Sequence, residues 1–285
     1  MSKFVRSVAA ASVLLGAGYL YLIAPRKAGE HTPKREPFRG SYAHRGLHGA
    51  GIPENSLMAF KAAVDSGYGI ELDIQLSRDG RVMVFHDENL FRMTGLDREL
   101  CELDAEELRA LRLKDTGEKI PYLTEVLALV GGRVPLLIEL KGKSVTDMRL
   151  CEKAEKLLLP YKGLWCVESF NPMQIRWWKK HRPDVVRGQL VTNLIQKKDG
   201  SFSKNPTDYL LTALLLNAFS RPDFIAADGR MKNPSVALCK KLFGADRFVW
   251  TPKGNALRKE YLEKGEYPIF EYLPEDFPKG SSSEE

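Results

Sequence analysis

Downstream of residue 40 the apolar positions follow two rhythms. Ile70, Leu72, Ile74 and Leu76 alternate with Glu71, Asp73 and Gln75. This is the two-residue period of a strand, so the two carboxylates share one face. Ahead of them Leu57, Phe60, Ala63 and Val64 lie at helical spacing, with Ser56 placed to cap the helix. Asp79-Gly80 is a tight-turn signal, and the apolar run Val82-Met83-Val84-Phe85 after it ends in His86-Asp87. The spacing predicts a hairpin, and counting back from the turn places His86 near Glu71.

The alternation continues to the C-terminus. Residues 100–113 read as a surface helix with Asp104 as its cap, and residues 120–130 as a loop and a helix stopped by Gly131-Gly132. Residues 134–141 form a strand of the buried type in which Glu139 and Lys141, two apart, share a face. Further strands are expected at 164–170, 185–191, 223–227, 247–251 and 268–273, with helical patterns at 146–159, 173–181, 209–219 and 234–243 between them. Strand and helix in alternation predict an α/β architecture with parallel strands. About eight strands in roughly 245 residues fit a TIM (β/α)8 barrel, for which ~250 residues is typical. One place conflicts with that plan: only the 77–81 turn separates the second and third strands, whereas parallel neighbours need a crossover. The barrel is expected to be irregular there.

The N-terminus differs in kind. Lys3 and Arg6 precede an uncharged stretch, residues 7–24, with Tyr19 and Tyr21 near its far end and Pro25-Arg26-Lys27 after it. That length is the short limit for a bilayer span, about 17–25 residues. The expectation is a single-pass transmembrane helix over residues 1–24, with a cleaved secretory signal or a peripheral helix as alternatives. Basic residues flank both ends; the reading adopted puts the protein at the cell membrane with its folded domain on the extracytoplasmic side. Residues 25–39, with Pro25, Pro33 and Pro37, are expected to be a tether, 40–278 the barrel domain and 279–285 a disordered tail.

Composition adds little beyond this. At 44% hydrophobic and 28% charged the chain is globular in type, and its net charge of +6 is scattered, which argues against nucleic acid and suits a phosphate substrate or an anionic membrane surface. Cys101, Cys151, Cys166 and Cys239 lack zinc-ligand spacing and read as packed thiols, able to pair only in an exported domain. No obligate protein partner is evident.

Taken in order, His44-Arg45-Gly46, Pro53-Glu54-Asn55-Ser56, Glu71-Leu72-Asp73, Asp79-Gly80, Val84-Phe85-His86-Asp87 and Leu90-x-Arg92-x-Thr94-Gly95 resemble the glycerophosphodiester phosphodiesterase family. The motifs cover about residues 40 to 170. The resemblance implies a barrel of the phospholipase C-like phosphodiesterase kind that cleaves glycerophosphodiesters to glycerol 3-phosphate and an alcohol. It implies His44 and His86 as the catalytic pair and Glu71, Asp73 and Glu139 as ligands of one divalent cation. Glu54 falls at a family position at or just outside the metal, and Ser169-Phe170 match a family strand end. In the implied route a neighbouring hydroxyl of the substrate attacks phosphorus, the alcohol leaves, and water opens the cyclic phosphate.

The residue types suit that chemistry. Three hard carboxylates favour Ca2+ or Mg2+, Arg45 and Lys141 can hold phosphate oxygens, and two imidazoles can exchange acid and base roles near neutral pH. Phe170 and Trp250 could wall the glycerol carbons. His31, His48 and His181 are read as packed or surface residues, His48 being the doubtful one because it lies in the site loop. The chain departs from the family pattern at Pro252-Lys253 and at Ile269-Phe270-Glu271-Tyr272, where the family tends toward Ile-Ile-Thr-Asp. These departures bear on the alcohol pocket and leave open a lysophospholipase D or sphingomyelinase D-like activity on lipids. A catalytically silent binding domain is the third reading.

Overall fold

The computed structural model describes residues 3–272, apart from residues 28, 30, 31, 50 and 198. The tail expected at 279–285 and the end of the expected domain, 273–278, lie outside the described residues, as does His31. Within them, nine strands make one sheet: β1 (Tyr42–Ala43), β2 (Gly69–Leu76), β3 (Val82–Val84), β4 (Leu136–Leu140), β5 (Trp165–Ser169), β6 (Arg187–Val191), β7 (Phe224–Asp228), β8 (Asp246–Lys253) and β9 (Tyr267–Glu271). Eight of the nine pair in parallel. Because β1 bonds to both β2 and β9, the ring closes and leaves no open edge.

The expected irregularity is β3. It runs antiparallel to the upper half of β2, with Ile74 opposite Val84 and Leu76 opposite Val82, and stands outside the parallel ring. No crossover helix is needed for a strand that does not join the barrel. The chain between β3 and β4 folds on a small core of its own, in which Met83, Phe85, Leu90, Met93, Leu100, Leu108 and Ile120 are buried. This arm lifts His86 to the rim at which β2 and β4 end.

Strand alternation divides the barrel residues into two sets. Ile70, Leu72, Ile74, Leu136, Ile138 and Leu140 pack outward against the helices Leu57–Asp65, Leu123–Val130 and Arg149–Leu158. The first of these helices starts at Ser56, whose Oγ accepts from Ala59 N at 3.1 Å. The opposite parity points inward. There Tyr42, Leu137, Cys166, Leu190, Phe224, Phe248 and Ile269 make an apolar floor, and Phe38 from the short turn Glu36–Phe38 closes it from below. Gly188 leaves room for that floor, since a Cβ on it would come within 2.0 Å of the Phe224 ring. All four cysteines are free thiols, and Cys151, Cys166 and Cys239 are buried.

The N-terminal expectation is corrected in part. Residues Lys3–Ile23 do form one helix, but among the described residues no helix is long and apolar enough to cross a membrane. Its last turns are committed to the protein instead. Ile23 is buried with Leu214, Ile225 and Cys239, and Tyr19 Oη lies 2.8 Å from Ser235 Oγ. Asn217 Nδ2 donates to Ile23 O at 2.9 Å, and Arg221 Nη1 donates to Tyr21 O and Ala24 O at 2.9 and 2.8 Å. The stretch read as a tether is fastened too: Arg26 pairs with the buried Asp223 at 3.0 Å, and Tyr42 Oη donates to Phe38 O at 2.9 Å.

One glycine ties the loop after β1 to the helix that follows it. Gly46 has φ +77°, and a Cβ there would lie 2.8 Å from Ala59 Cβ and 2.9 Å from its carbonyl carbon, within the first turn of the helix. Neither the positive φ nor the clash with backbone can relax cheaply. Gly46→Ala is expected to destabilise the fold by about 2 kcal/mol or more in urea unfolding. A loss below about 0.5 kcal/mol, the range of neutral surface changes, would contradict this packing.

Candidate active site

The inward parity that builds the apolar floor also delivers the acids above it. Glu71 and Asp73 on β2, Glu139 on β4 and Glu168 on β5 all point into the barrel, and the register sets Asp73 opposite Glu139 and Glu139 opposite Glu168. All four are buried. One carboxylate oxygen from each of Glu71, Asp73 and Glu139 lies within 4.8 Å of the others. These are the three residues read from the sequence as metal ligands.

Positive groups surround the acids without saturating them. Lys141 Nζ lies 2.8 Å from Glu139 Oε1 and 3.2 Å from Asp73 Oδ1, and that Asp73 oxygen has no hydrogen bond. Arg45 N donates to Glu71 Oε2 at 2.9 Å, Arg45 Nε is 3.5 Å from Asp73 Oδ2, and Asn55 Nδ2 donates to the same Asp73 oxygen at 2.8 Å. The electrostatics follow. Burial, then the neighbouring Asp73, pushes the Glu71 carboxyl well above its ordinary range, and burial likewise raises Glu139 and Glu168. Burial acts against Asp73 as well, but Lys141, His86 and Arg45 together hold it below the usual carboxylate range.

A chain of ion pairs runs from this cluster to the rim. Arg45 Nη1 meets Glu54 Oε1 at 2.8 Å; Arg92 clamps Glu54 with two bonds of 2.6 and 2.9 Å and reaches Asp87 Oδ2 at 2.5 Å; Asp87 Oδ1 lies 2.6 Å from His86 Nδ1. Despite burial, the two arginines bring the Glu54 carboxyl down to about 2. Glu54 therefore stands outside the acidic cage and orients Arg45. The conformations it holds are not relaxed ones: Arg45 and Asn55 have φ of +55° and +53°, each costing on the order of 1 kcal/mol for a residue with a Cβ.

Both predicted histidines reach the site. His44 follows β1, with Nε2 4.0 Å from Glu71 Oε2 and Nδ1 2.9 Å from Glu271 Oε1. Burial lowers its pKa, opposed by the hydrogen bond to Glu271. His86 lies within electrostatic reach of Asp73 and Glu139, and the residue before it is tied to β2 where Phe85 N donates to Asp73 O at 3.0 Å. Its backbone is held by Gln75 Nε2, which lies 2.9, 3.0 and 2.8 Å from Phe85 O, His86 O and Asp87 O. Beside His86, Glu139 and Lys141 opens a cavity of about 900 Å3 that extends to Phe170, Arg78 and Lys153.

The remaining predicted residues divide. Phe170 and Trp250 do meet, edge to face with ring centres 5.9 Å apart. Ser169 is buried, with Oγ donating to Leu140 O at 2.9 Å, and so braces the end of β4 below Lys141. His48, read as structural with reservation, lies at the site, its Nε2 3.9 Å from Glu271 Oε1. Sequence reasoning did not single out Glu168, Glu271, Gln75 or Arg92 as site residues. Arg92 was visible in the motif Leu90-x-Arg92-x-Thr94-Gly95, and Gln75 and Glu168 share the inward parity of strands already identified. For Glu271 no local signal existed, only a departure from a pattern.

Comparison with known proteins agrees with this geometry. The profile of the glycerophosphoryl diester phosphodiesterase family matches residues 44–207. A glycerophosphodiester phosphodiesterase of Caldanaerobacter subterraneus subsp. tengcongensis is 37% identical over 158 residues, 52% of this chain and 65% of that protein. A human lysophospholipase D is 30% identical over 181 residues, 55% of this chain and 49% of that protein. In both cases the match spans less than two thirds of the relative's length. Among solved structures, an Oleispira antarctica phosphodiesterase in complex with the product sn-glycerol-3-phosphate superposes with a TM-score of 0.67 at 22% identity, covering 82% of this chain and 93% of that one, a likeness of fold. With the family profile spanning more than half of its length, the chain belongs to the glycerophosphoryl diester phosphodiesterase family.

Proposed function

We propose that the barrel hydrolyses glycerophosphodiesters to glycerol 3-phosphate and an alcohol, using one divalent cation and the imidazoles of His44 and His86. The observation that carries this reading is the convergence of three carboxylates, with oxygens within 4.8 Å, beside Lys141 and two imidazoles whose Nδ1 atoms each face a carboxylate. A cluster of buried acids in which Asp73 Oδ1 and Glu168 Oε2 have no hydrogen bond, with too few cations around it, fits a hard cation such as Mg2+ or Ca2+. Glu71, Asp73 and Glu139 would hold that ion, which supplies positive charge to the non-bridging phosphate oxygens.

The chain's own groups do the rest. Arg45 and Lys141 neutralise phosphate oxygens from two sides, and Lys141 keeps its proton because Asp73 and Glu139 outweigh the effect of burial. His44, kept neutral by burial, accepts a proton at Nε2 from the substrate hydroxyl as that oxygen bonds to phosphorus. His86 gives a proton to the leaving alkoxide as the phosphorus–oxygen bond breaks, and the cyclic phosphate then opens to water with the roles reversed. Phe170 and Trp250 offer apolar edges to the glycerol carbons. The similarity to proteins named lysophospholipase D keeps a lipid diester as the second reading, separable by comparing lysophospholipid with soluble glycerophosphodiester as substrate.

Replacement of either imidazole tests the assignment. His44→Ala and His86→Ala are each expected to lower kcat for release of glycerol 3-phosphate by about 10^2 to 10^4-fold. Calorimetry should show Mg2+ affinity unchanged, since neither histidine is a ligand in this reading. Turnover equal to wild type in both variants would sink it. Proton release tests the cage. Glu71 and Glu139 have raised pKa values in the metal-free protein, so a cation must displace protons to bind, and Mg2+ affinity should go on rising with pH above the ordinary carboxylate range. Binding enthalpies should differ between buffers of unequal ionisation enthalpy; identical values would show that these carboxyls are not the ligands.

A further inference from the structure

The sheet closes where β1 meets β9, with Ala43 opposite Phe270 and His44 N donating to Phe270 O at 2.9 Å. One residue further along each strand, His44 and Glu271 are therefore neighbours across the seam. Their side chains meet, Nδ1 to Oε1, at 2.9 Å. The other oxygen of Glu271 is held from outside by Lys253 Nζ at 3.0 Å, so the carboxylate is fixed from both ends. It reaches the imidazole from the side away from the acidic cage.

A carboxylate at 2.9 Å from Nδ1 can only accept, so the proton of the neutral ring sits on Nδ1. Nε2 then carries a lone pair. The nearest acid to it, Glu71 Oε2, is 4.0 Å away, too far for a hydrogen bond, and Nε2 stays open to a substrate hydroxyl. Without Glu271 the ring has no such acceptor at Nδ1. It would then be free to take the other tautomer, which places a proton where a base needs a lone pair.

We propose that Glu271 is the positioning residue of His44, holding its ring as the Nδ1–H tautomer with Nε2 directed at the reacting hydroxyl. The role complements that of Asp87, 2.6 Å from His86 Nδ1, but it comes from the last strand of the barrel. His48 packs against the same oxygen at 3.9 Å and limits how far Glu271 can swing. The inference rests on His44 acting as base in the hydrolase reading, and the experiment separates the two.

In the full chain loaded with Mg2+, Glu271→Ala is expected to lower kcat about 10- to 100-fold, the range seen when an outer partner of an active-site imidazole is lost, with KM and Mg2+ affinity within about twofold. Glu271→Gln, which still offers an oxygen to Nδ1–H, should recover a large part of that loss. Proton–nitrogen correlation spectra of the imidazoles give a readout that needs no turnover. His44 should be the Nδ1–H tautomer in wild type and a mixture, or Nε2–H, in Glu271→Ala. An Nε2–H ring in the wild-type protein overturns the proposal whether or not the alanine variant folds. So does an unchanged kcat in a folded alanine variant, or a fall in Mg2+ affinity that matches the fall in kcat. A wild-type enzyme inactive on glycerophosphodiesters but showing the expected tautomers would instead remove the hydrolase reading and leave the positioning contact standing.

Discussion

The structure turns on the cost of burying like charges together. Glu71, Asp73, Glu139 and Glu168 project from three adjacent strands into an interior that is apolar immediately below them. An ionised carboxylate in such surroundings is unfavourable by several kcal/mol unless it is paired. Two responses are visible. Lys141 and Arg45 lean into the cluster, and the remaining acids are pushed toward their protonated forms. A site in that condition is poised for a cation, because an ion that displaces those protons relieves repulsion that the folded chain otherwise carries.

The same constraint explains the rigidity of the rim. A guanidinium beside the buried acids would collapse onto them if nothing else claimed it. Here Glu54 draws Arg45 outward, Arg92 holds Glu54, and Asp87 links Arg92 to His86, so a single set of pairs sets both the Arg45 guanidinium and the His86 imidazole. The left-handed turn at Arg45 and Gly46 belongs to this arrangement. It brings the Arg45 amide to Glu71 while its side chain reaches Asp73 and Glu54. Unfavourable backbone geometry is thus retained where several contacts over-determine it.

The lower and outer parts of the molecule do separate work. The apolar floor and the helical layer hold the strands in register, and the register sets which acids face one another. The N-terminal helix, which might have been independent of the barrel, shares its last turns with the buried residues Leu214, Ile225 and Cys239. Its backbone carbonyls at Tyr21, Ile23 and Ala24 are capped by side chains from the segment before β7. The apolar positions at the end of that helix are thus matched by protein surface.

What could be read along the chain is whatever depends on period and on residue type. Alternation in β2 and β4 put Glu71 with Asp73 and Glu139 with Lys141 on single faces, and the short 77–81 turn marked an irregularity at β3, although the count of eight strands includes β3 and leaves out the two-residue β1 that closes the ring. The three carboxylates, the two imidazoles, Arg45 and Lys141 are legible along the chain, through residue type and motif as well as period. Contacts between distant segments are not. Register across the β1–β9 seam brings Glu271 to His44 over 227 residues of sequence, and the β4–β5 register brings Glu168 to Glu139. Packing between distant segments also decided that the N-terminal helix ends against the barrel. Periodicity reports which way a side chain points from its own strand; only the pairing of strands reports what it will find there.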